Sequence, residues 1–337
     1  MIPVIGLADV EARRTDAVET LHTALRTHTI VHVDARGELG PDFFPDLYRR
    51  TREFFALPAA EKQALDINGS PNYRGYVGQG KEYTGGIPDL KESYEFGKVL
   101  APPPGEHRAW FDLYGDNRWP SEGHPAPFRS MIDAYSKAVE RIAVAVLRAL
   151  LHSMDQEVDR ADGVTGGEPS LYSRLIYYRD PRGYAVGDAR LHQHTDSALL
   201  TVGLQNAPGL EVRNSNGQWR PVDPPENVFS IFAGELMEVW TNGYYPPCLH
   251  RVHNSALRSE RLSCASFFLP DLRRPLTPID PISSPRMAAA GLTVSETNSW
   301  LADGRRVSPT TPVGQLEWER MNMVFPERVG ADEGVQQ

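Results

Sequence analysis

The stretch Leu191-His192-Gln193-His194-Thr195-Asp196-Ser197-Ala198-Leu199-Leu200-Thr201-Val202-Gly203-Leu204 decides how this chain is read. Its apolar residues suit an extended segment, and side chains two apart on a strand share one face. His194 and Asp196 are therefore expected to point at one place. A second histidine follows 54 positions after Asp196, in Cys248-Leu249-His250-Arg251-Val252, a short apolar stretch entered from Asn242-Gly243 and Pro246-Pro247. For His250 to join the pair, the fold must bring two distant strands together. Two neutral imidazoles and one carboxylate leave positions of an octahedral ion open, and this mixture of nitrogen and oxygen donors suits non-haem Fe(II).

A His-x-Asp alone occurs by chance, and a histidine in an apolar strand is often a hydrogen-bonded structural residue. Arg261 and Ser263 add weight to the metal reading. They too are two apart, on a segment read as a strand from Arg261 to Phe268, so a guanidinium and a hydroxyl point the same way. A guanidinium holds a carboxylate through a two-pronged, charge-assisted pair, and the serine adds a further donor.

With these motifs in place the chain resembles, over nearly its whole length, the isopenicillin N synthase-like 2-oxoglutarate/Fe(II) oxygenases. The matching segments come in the family's order: Ile2-Pro3-Val4-Ile5 as an opening strand, Phe54-Phe55-Ala56-Leu57-Pro58 with Glu61-Lys62 in a helical N-terminal region, then Arg74-Gly75-Tyr76 and Lys91 to Gly97 bordering the substrate pocket. His194-Thr195-Asp196-Ser197, Gly209 to Val212, Gly217-Gln218-Trp219, Thr241-Asn242-Gly243, His250-Arg251-Val252 and Arg261-Leu262-Ser263 follow, with 11 positions from His250 to Arg261. The resemblance implies that His194, Asp196 and His250 hold Fe(II). It also implies that Arg261, Ser263 and Tyr178 hold the far carboxylate of 2-oxoglutarate, with dioxygen as cosubstrate. Ile176 stands where the common plant pattern has asparagine, and Glu235 where an aspartate is usual, the latter suggesting a structural role at a turn.

Composition narrows the function classes. The 44 acidic and 35 basic residues give a formal charge of -9 with no basic run, which disfavours nucleic-acid binding. No apolar run approaches the roughly 20 residues of a bilayer span, and no secretory signal is legible, so the expectation is a cytoplasmic protein without a membrane partner. Cys248 and Cys264 are too few for a disulfide framework and are expected as free thiols. Its oligomeric state is expected to be monomer or weak dimer.

Spaced apolar residues predict helices over Asp9 to His28, Pro41 to Phe55 and Ala59 to Leu65, followed by a glycine-rich loop, Asn68 to Gly86. The longest helix is expected from Ala126 to Met154, with Phe128, Ile132, Tyr135, Val139, Ile142, Val146 and Leu150 on its packing face. Short segments at 172–178, 198–204, 209–213, 219–222, 228–232, 236–240, 249–252 and 261–268 then read as eight strands. They predict an α+β, mainly β chain whose core is a double-stranded β-helix, or jelly roll, with a helical N-terminal region. The expected divisions are 1–165, a helical region with pocket-bordering loops; 166–275, the oxygenase core; and 276–337, a covering loop and a helix near 313–325. The tail from Gly330 to Gln337 is expected to be disordered.

These readings point to a dioxygenase that hydroxylates a small polar metabolite, in specialised metabolism such as antibiotic biosynthesis, with release of succinate and carbon dioxide. Arg74, Tyr76, Lys91, Tyr94, Phe96 and Arg174 are the candidate substrate contacts, a cationic and aromatic lining that fits a carboxylate-bearing or amino-acid-like molecule. The rival readings are an Fe(II) oxidase acting without 2-oxoglutarate, a cupin-type site using His192 with His194, and a metal-free binding protein on the same fold.

Overall fold

An apolar stripe recurring at three and four residues makes Pro125–Ser153 one long helix. Phe128, Ile132, Tyr135, Val139, Ile142, Val146 and Leu150 are all buried. They lie against strands of the main sheet, where the Tyr135 hydroxyl meets Ser266 Oγ at 3.0 Å. The computed structural model describes residues 1–327 except 103, 106, 122–124, 186–188, 224, 255, 256, 258, 281, 282 and 292–300. The expected disordered tail and part of the expected covering loop lie outside the described residues.

In chain order the strands are β1 (Val4–Gly6), β2 (Ile30–Asp34), β3 (Gly75–Val77), β4 (Tyr83–Thr84), β5 (Ile87–Pro88), β6 (Glu92–Gly97), β7 (Ser170–Tyr178), β8 (Ala189–His194) and β9 (Leu200–Gln205). They continue as β10 (Leu210–Arg213), β11 (Trp219–Pro221), β12 (Phe229–Ala233), β13 (His250–His253) and β14 (Arg261–Leu269). One sheet of eight has the order β1-β2-β12-β9-β14-β7-β6-β3, and a second of four has the order β11-β10-β13-β8. Residues of both sheets line one pocket, among them Ile176, Thr201 and Ser263 from the first and Leu191, Leu210 and Val252 from the second. The fold is thus mixed α+β, with helices of the N-terminal part, including Thr15–Thr27 and Phe43–Phe55, beside the large sheet.

Several expectations need correction. The stretch 191–204 is not one strand: β8 ends at His194, a turn carries Asp196, and β9 begins at Leu200. The apolar residues from Ala198 onward hide that break. Segment 236–240 is a helix, Glu235–Trp240, because Leu236, Met237, Val239 and Trp240 are buried at helical spacing, and a run this short has no decisive period. Nor does residue 165 divide the sheet, since β1, β2, β3 and β6 all precede it. The strand β6 is concealed in the sequence by Glu92 and Glu95, both buried and charge-paired.

Candidate active site

His194 and His250 are brought together by strand pairing. β8 and β13 run antiparallel with His194 opposite His250, and the two rings are 4.2 Å apart between centroids. Asp196 completes the group from the turn after β8: its Oδ1 lies 3.4 Å from His194 Nε2 and its Oδ2 3.8 Å from His250 Nε2. One ligand atom of each residue lies within 4.8 Å of the others. Each imidazole Nδ1 is engaged by a backbone carbonyl, His194 with His192 O at 2.8 Å and His250 with Cys248 O at 3.0 Å. Those contacts place the proton on Nδ1 and leave the Nε2 lone pairs facing Asp196, as a metal requires.

Electrostatics agree with that donor set. Burial, with the His194 ring adding to it, pulls His250 down to about 4, so the imidazole is neutral at pH 7. Burial alone would raise the Asp196 carboxyl, but His250 and His194 outweigh it and hold the group well below the usual carboxylate range. A carboxylate and two imidazoles, with Asp196 and His250 buried and His194 partly so, fit a divalent ion with open positions. Thr201 donates to Asp196 Oδ2 at 2.7 Å and sets its orientation. The turn itself is pinned where Glu235 N donates to Asp196 O at 2.7 Å. Gly234 permits this approach, since a Cβ there would lie 2.2 Å from Ala198 O and 2.7 Å from Asp196 O. Glu235, a turn residue in the sequence reading, accepts from the Thr195 hydroxyl and from Ala302 N and so ties the turn to residues above it.

Inward from the triad runs a narrow pocket between the sheets, with Arg261, Ser263 and Tyr178 in its wall. Arg261 and Tyr178 are register partners on β14 and β7, and the guanidinium lies 5.0 Å from the tyrosine ring centroid. Arg261 Nη1 donates to Ser263 Oγ at 2.9 Å and Nη2 to Gln205 Oε1 at 2.7 Å. Every close partner of this buried guanidinium among the described residues is neutral, and burial works against its charge. A buried cation in that state is matched by an anionic ligand. Ile176 lines the same pocket.

Outward from the triad is a chamber of about 540 Å³, sharing Arg174, His194, Asp196 and Phe267 with the inner pocket. The β4–β5 hairpin forms one wall, its two-residue loop Gly85-Gly86 having φ of 59° and 78°, a tight turn that glycine adopts freely. Arg320, Met323 and Val324 of the helix Val313–Val324 also line the chamber.

Of the six candidate substrate contacts, only Arg174 lines this space. Its charge is committed to Glu82 and, at 3.3 Å, to Glu95. Lys91 is likewise buried against Glu82. Tyr94 and Phe96 are core residues, with Tyr94 4.7 Å from the Phe54 ring and stacked on Phe96. Tyr76 donates to Glu92 at 2.6 Å, and Arg74 is buried over the Tyr172 ring at 4.6 Å. Burial accounts for the difference: Glu82 answers Lys91 and Arg174, Glu92 answers Tyr76, and Tyr94 and Phe96 pack in the core. Glu82 and Arg320 escape sequence reasoning because neither lies in a motif and both reach the site through the fold.

Comparison with known proteins agrees with the geometry. Residues 2–122 match the family described as non-haem dioxygenase in morphine synthesis N-terminal, and residues 170–270 match the 2OG-Fe(II) oxygenase superfamily. The chain belongs to the 2OG-Fe(II) oxygenase superfamily. The oxygenase is 30% identical over 278 residues to the 2-oxoglutarate-dependent dioxygenase caaD of Aspergillus niger, covering 79% of this chain and 83% of that one. It is 29% identical over 288 residues to a homoarginine-6-hydroxylase of Oryza sativa subsp. japonica, covering 82% and 86%. In fold it is similar to a full-length Neurospora crassa protein solved in complex with alpha-KG and thymine, with a TM-score of 0.75, 23% identity and 96% of each chain covered. The oxygenase is a non-haem enzyme that uses Fe(II) and 2-oxoglutarate and acts on small metabolites. Among the described residues no helix is long and apolar enough to cross a membrane.

Proposed function

We propose that the oxygenase hydroxylates a small polar metabolite in the outer chamber, while 2-oxoglutarate occupies the inner pocket with its far carboxylate on Arg261, Ser263 and Tyr178. The observation that carries this reading is the buried Arg261 guanidinium, whose partners among the described residues are neutral, in a pocket that begins at His194 and Asp196. Iron with 2-oxoglutarate supplies the oxidising chemistry, with succinate and carbon dioxide as coproducts. The chain's own part is positioning: His194, Asp196 and His250 would hold the iron, and the chamber walls would fix the substrate carbon near it. We infer that the two sheets form a double-stranded β-helix around this pocket, an arrangement that the two-sheet lining and the likeness in fold to solved oxygenases support. Two buried free thiols, Cys248 and Cys264, suit a reducing cytosol.

The rice relative is a homoarginine-6-hydroxylase, which makes free basic amino acids the first compounds to try. Succinate formation should depend on one member of a panel containing L-homoarginine, L-arginine, L-lysine and small aromatic acids. Oxygen consumption at full rate without 2-oxoglutarate would contradict the proposal.

A further inference from the structure

The outer chamber holds several charged side chains, and among the described residues all but one have close partners. Glu82 is bound by Lys91 and Arg174. Glu235 accepts from Thr195 and Ala302 N, and Asp303 is held by Arg305 at 2.6 Å. Arg320 differs from them: its charge acts on Asp196, Glu235 and Asp303 at longer range, but among the described residues none of these carboxylates bonds to it. Its nearest carboxylate among the described residues is Glu317 Oε2 at 3.8 Å, beyond hydrogen-bond reach. Glu317 is itself engaged, accepting the Ser197 hydroxyl at 2.6 Å through its other oxygen. The Arg320 guanidinium lies 5.8 Å from the Phe267 ring centroid, on the wall shared by the inner pocket and the chamber. Its side chain retains 17% of its exposure, so its donors are within reach of a molecule in the chamber.

We propose that Arg320 receives a carboxylate of the substrate and thereby selects acids over their neutral analogues. This deepens the function proposed above and rests on it. The planar fork of arginine matches a carboxylate through two parallel donors. Phe267 beside it, with Met323 and Val324, gives an apolar surface for the carbon skeleton. The substrate class is therefore a small carboxylate with an aliphatic or aromatic body. Arg174, on the same wall, does not serve this role because Glu82 and Glu95 already answer its charge.

The test uses the full-length enzyme, loaded anaerobically with Fe(II) and 2-oxoglutarate, and reads binding from the change each compound makes in visible absorption. The probes are acid and carboxamide pairs: L-homoarginine, L-lysine and 3-phenylpropionate, each with its amide. The wild-type enzyme should bind at least one acid about 10-fold or more tighter than its amide, as loss of a charge-assisted pair implies. Arg320→Gln should bring that ratio to within about twofold, and Arg320→Lys should restore part of it. The ratio is internal to each protein, so a partly damaged variant still reports it. Equal binding of acids and amides by the wild-type enzyme, no binding of any acid, or an undiminished ratio in Arg320→Gln would overturn the assignment. If no visible band forms before any compound is added, the proposed function fails and this assignment with it. A band without acid preference sinks this assignment alone.

Discussion

His194 and His250 oppose each other in the register of two antiparallel strands, and the Nδ1 of each ring is occupied by the backbone carbonyl two residues before it. Their lone pairs are thus aimed by main-chain geometry, and Asp196 is the one donor supplied by a turn. His194→Ala, Asp196→Ala and His250→Ala should each lower Fe(II) affinity and turnover by about 100-fold or more, exceeding the loss typical of residues that only orient a ligand. Iron titration checks this, and unimpaired iron binding by Asp196→Ala would refute the triad. His192→Ala should have little effect, because its ring lies 3.5 Å from Asp89 Oδ1 rather than in the triad.

Gly234 gives a test of the turn that carries Asp196. A methyl group at this position would collide with the backbone of both Asp196 and Ala198, which cannot yield as a flexible side chain would. Gly234→Ala should therefore weaken iron binding by roughly 10-fold or more, in the range seen when support for a ligand is lost. A variant with native iron affinity would show that the turn is free to shift.

Glu82 is buried between Lys91 and Arg174; burial alone would raise its carboxyl, but the two cations hold it down to about 2. Removing the negative charge leaves two cations buried with incomplete pairing. Glu82→Gln should cost roughly 3–5 kcal/mol of stability, as breaking a buried ion pair typically does. Urea denaturation measures it, and an unchanged midpoint would mean the cations find other partners.

His32, on β2, is buried beside Ser230 at 3.1 Å, and burial lowers it from 6.5 to about 4. Between those values the unfolded chain binds a proton that the folded chain refuses. The stability from keeping His32 neutral is present above pH 6.5 and is lost as the pH falls toward 4. From pH 7 to pH 5 the loss should be on the order of 2 kcal/mol, and His32→Gln should flatten that part of the profile. Identical pH slopes for the two proteins in denaturant titrations would contradict the assignment.

The site was legible where chemistry and spacing coincide. Arg261 and Ser263 do share a face of one strand, and the apolar stripe from Phe128 to Leu150 does face the core. His194 and Asp196 meet for a different reason from the one their spacing suggests, because a strand end and a turn reach the same point as two positions on a strand. The substrate wall was not legible. Lys91 and Arg174 look like binding groups in the sequence, yet both are buried against Glu82, which no motif singles out. Arg320 lies on a helix far along the chain, and only the folded chamber distinguishes it from other surface arginines.

The central claim is that Arg261 anchors 2-oxoglutarate beside iron held by His194, Asp196 and His250. The direct measurement is an anaerobic titration of the iron-loaded enzyme with 2-oxoglutarate, followed by the visible absorption of the chelate, in wild-type and Arg261→Ala proteins. The wild-type enzyme should give a saturable band, and Arg261→Ala should need about 30-fold or more 2-oxoglutarate to reach it, since losing one partner of a buried charged pair costs roughly 2–5 kcal/mol. Equal affinities in the two proteins would contradict the claim.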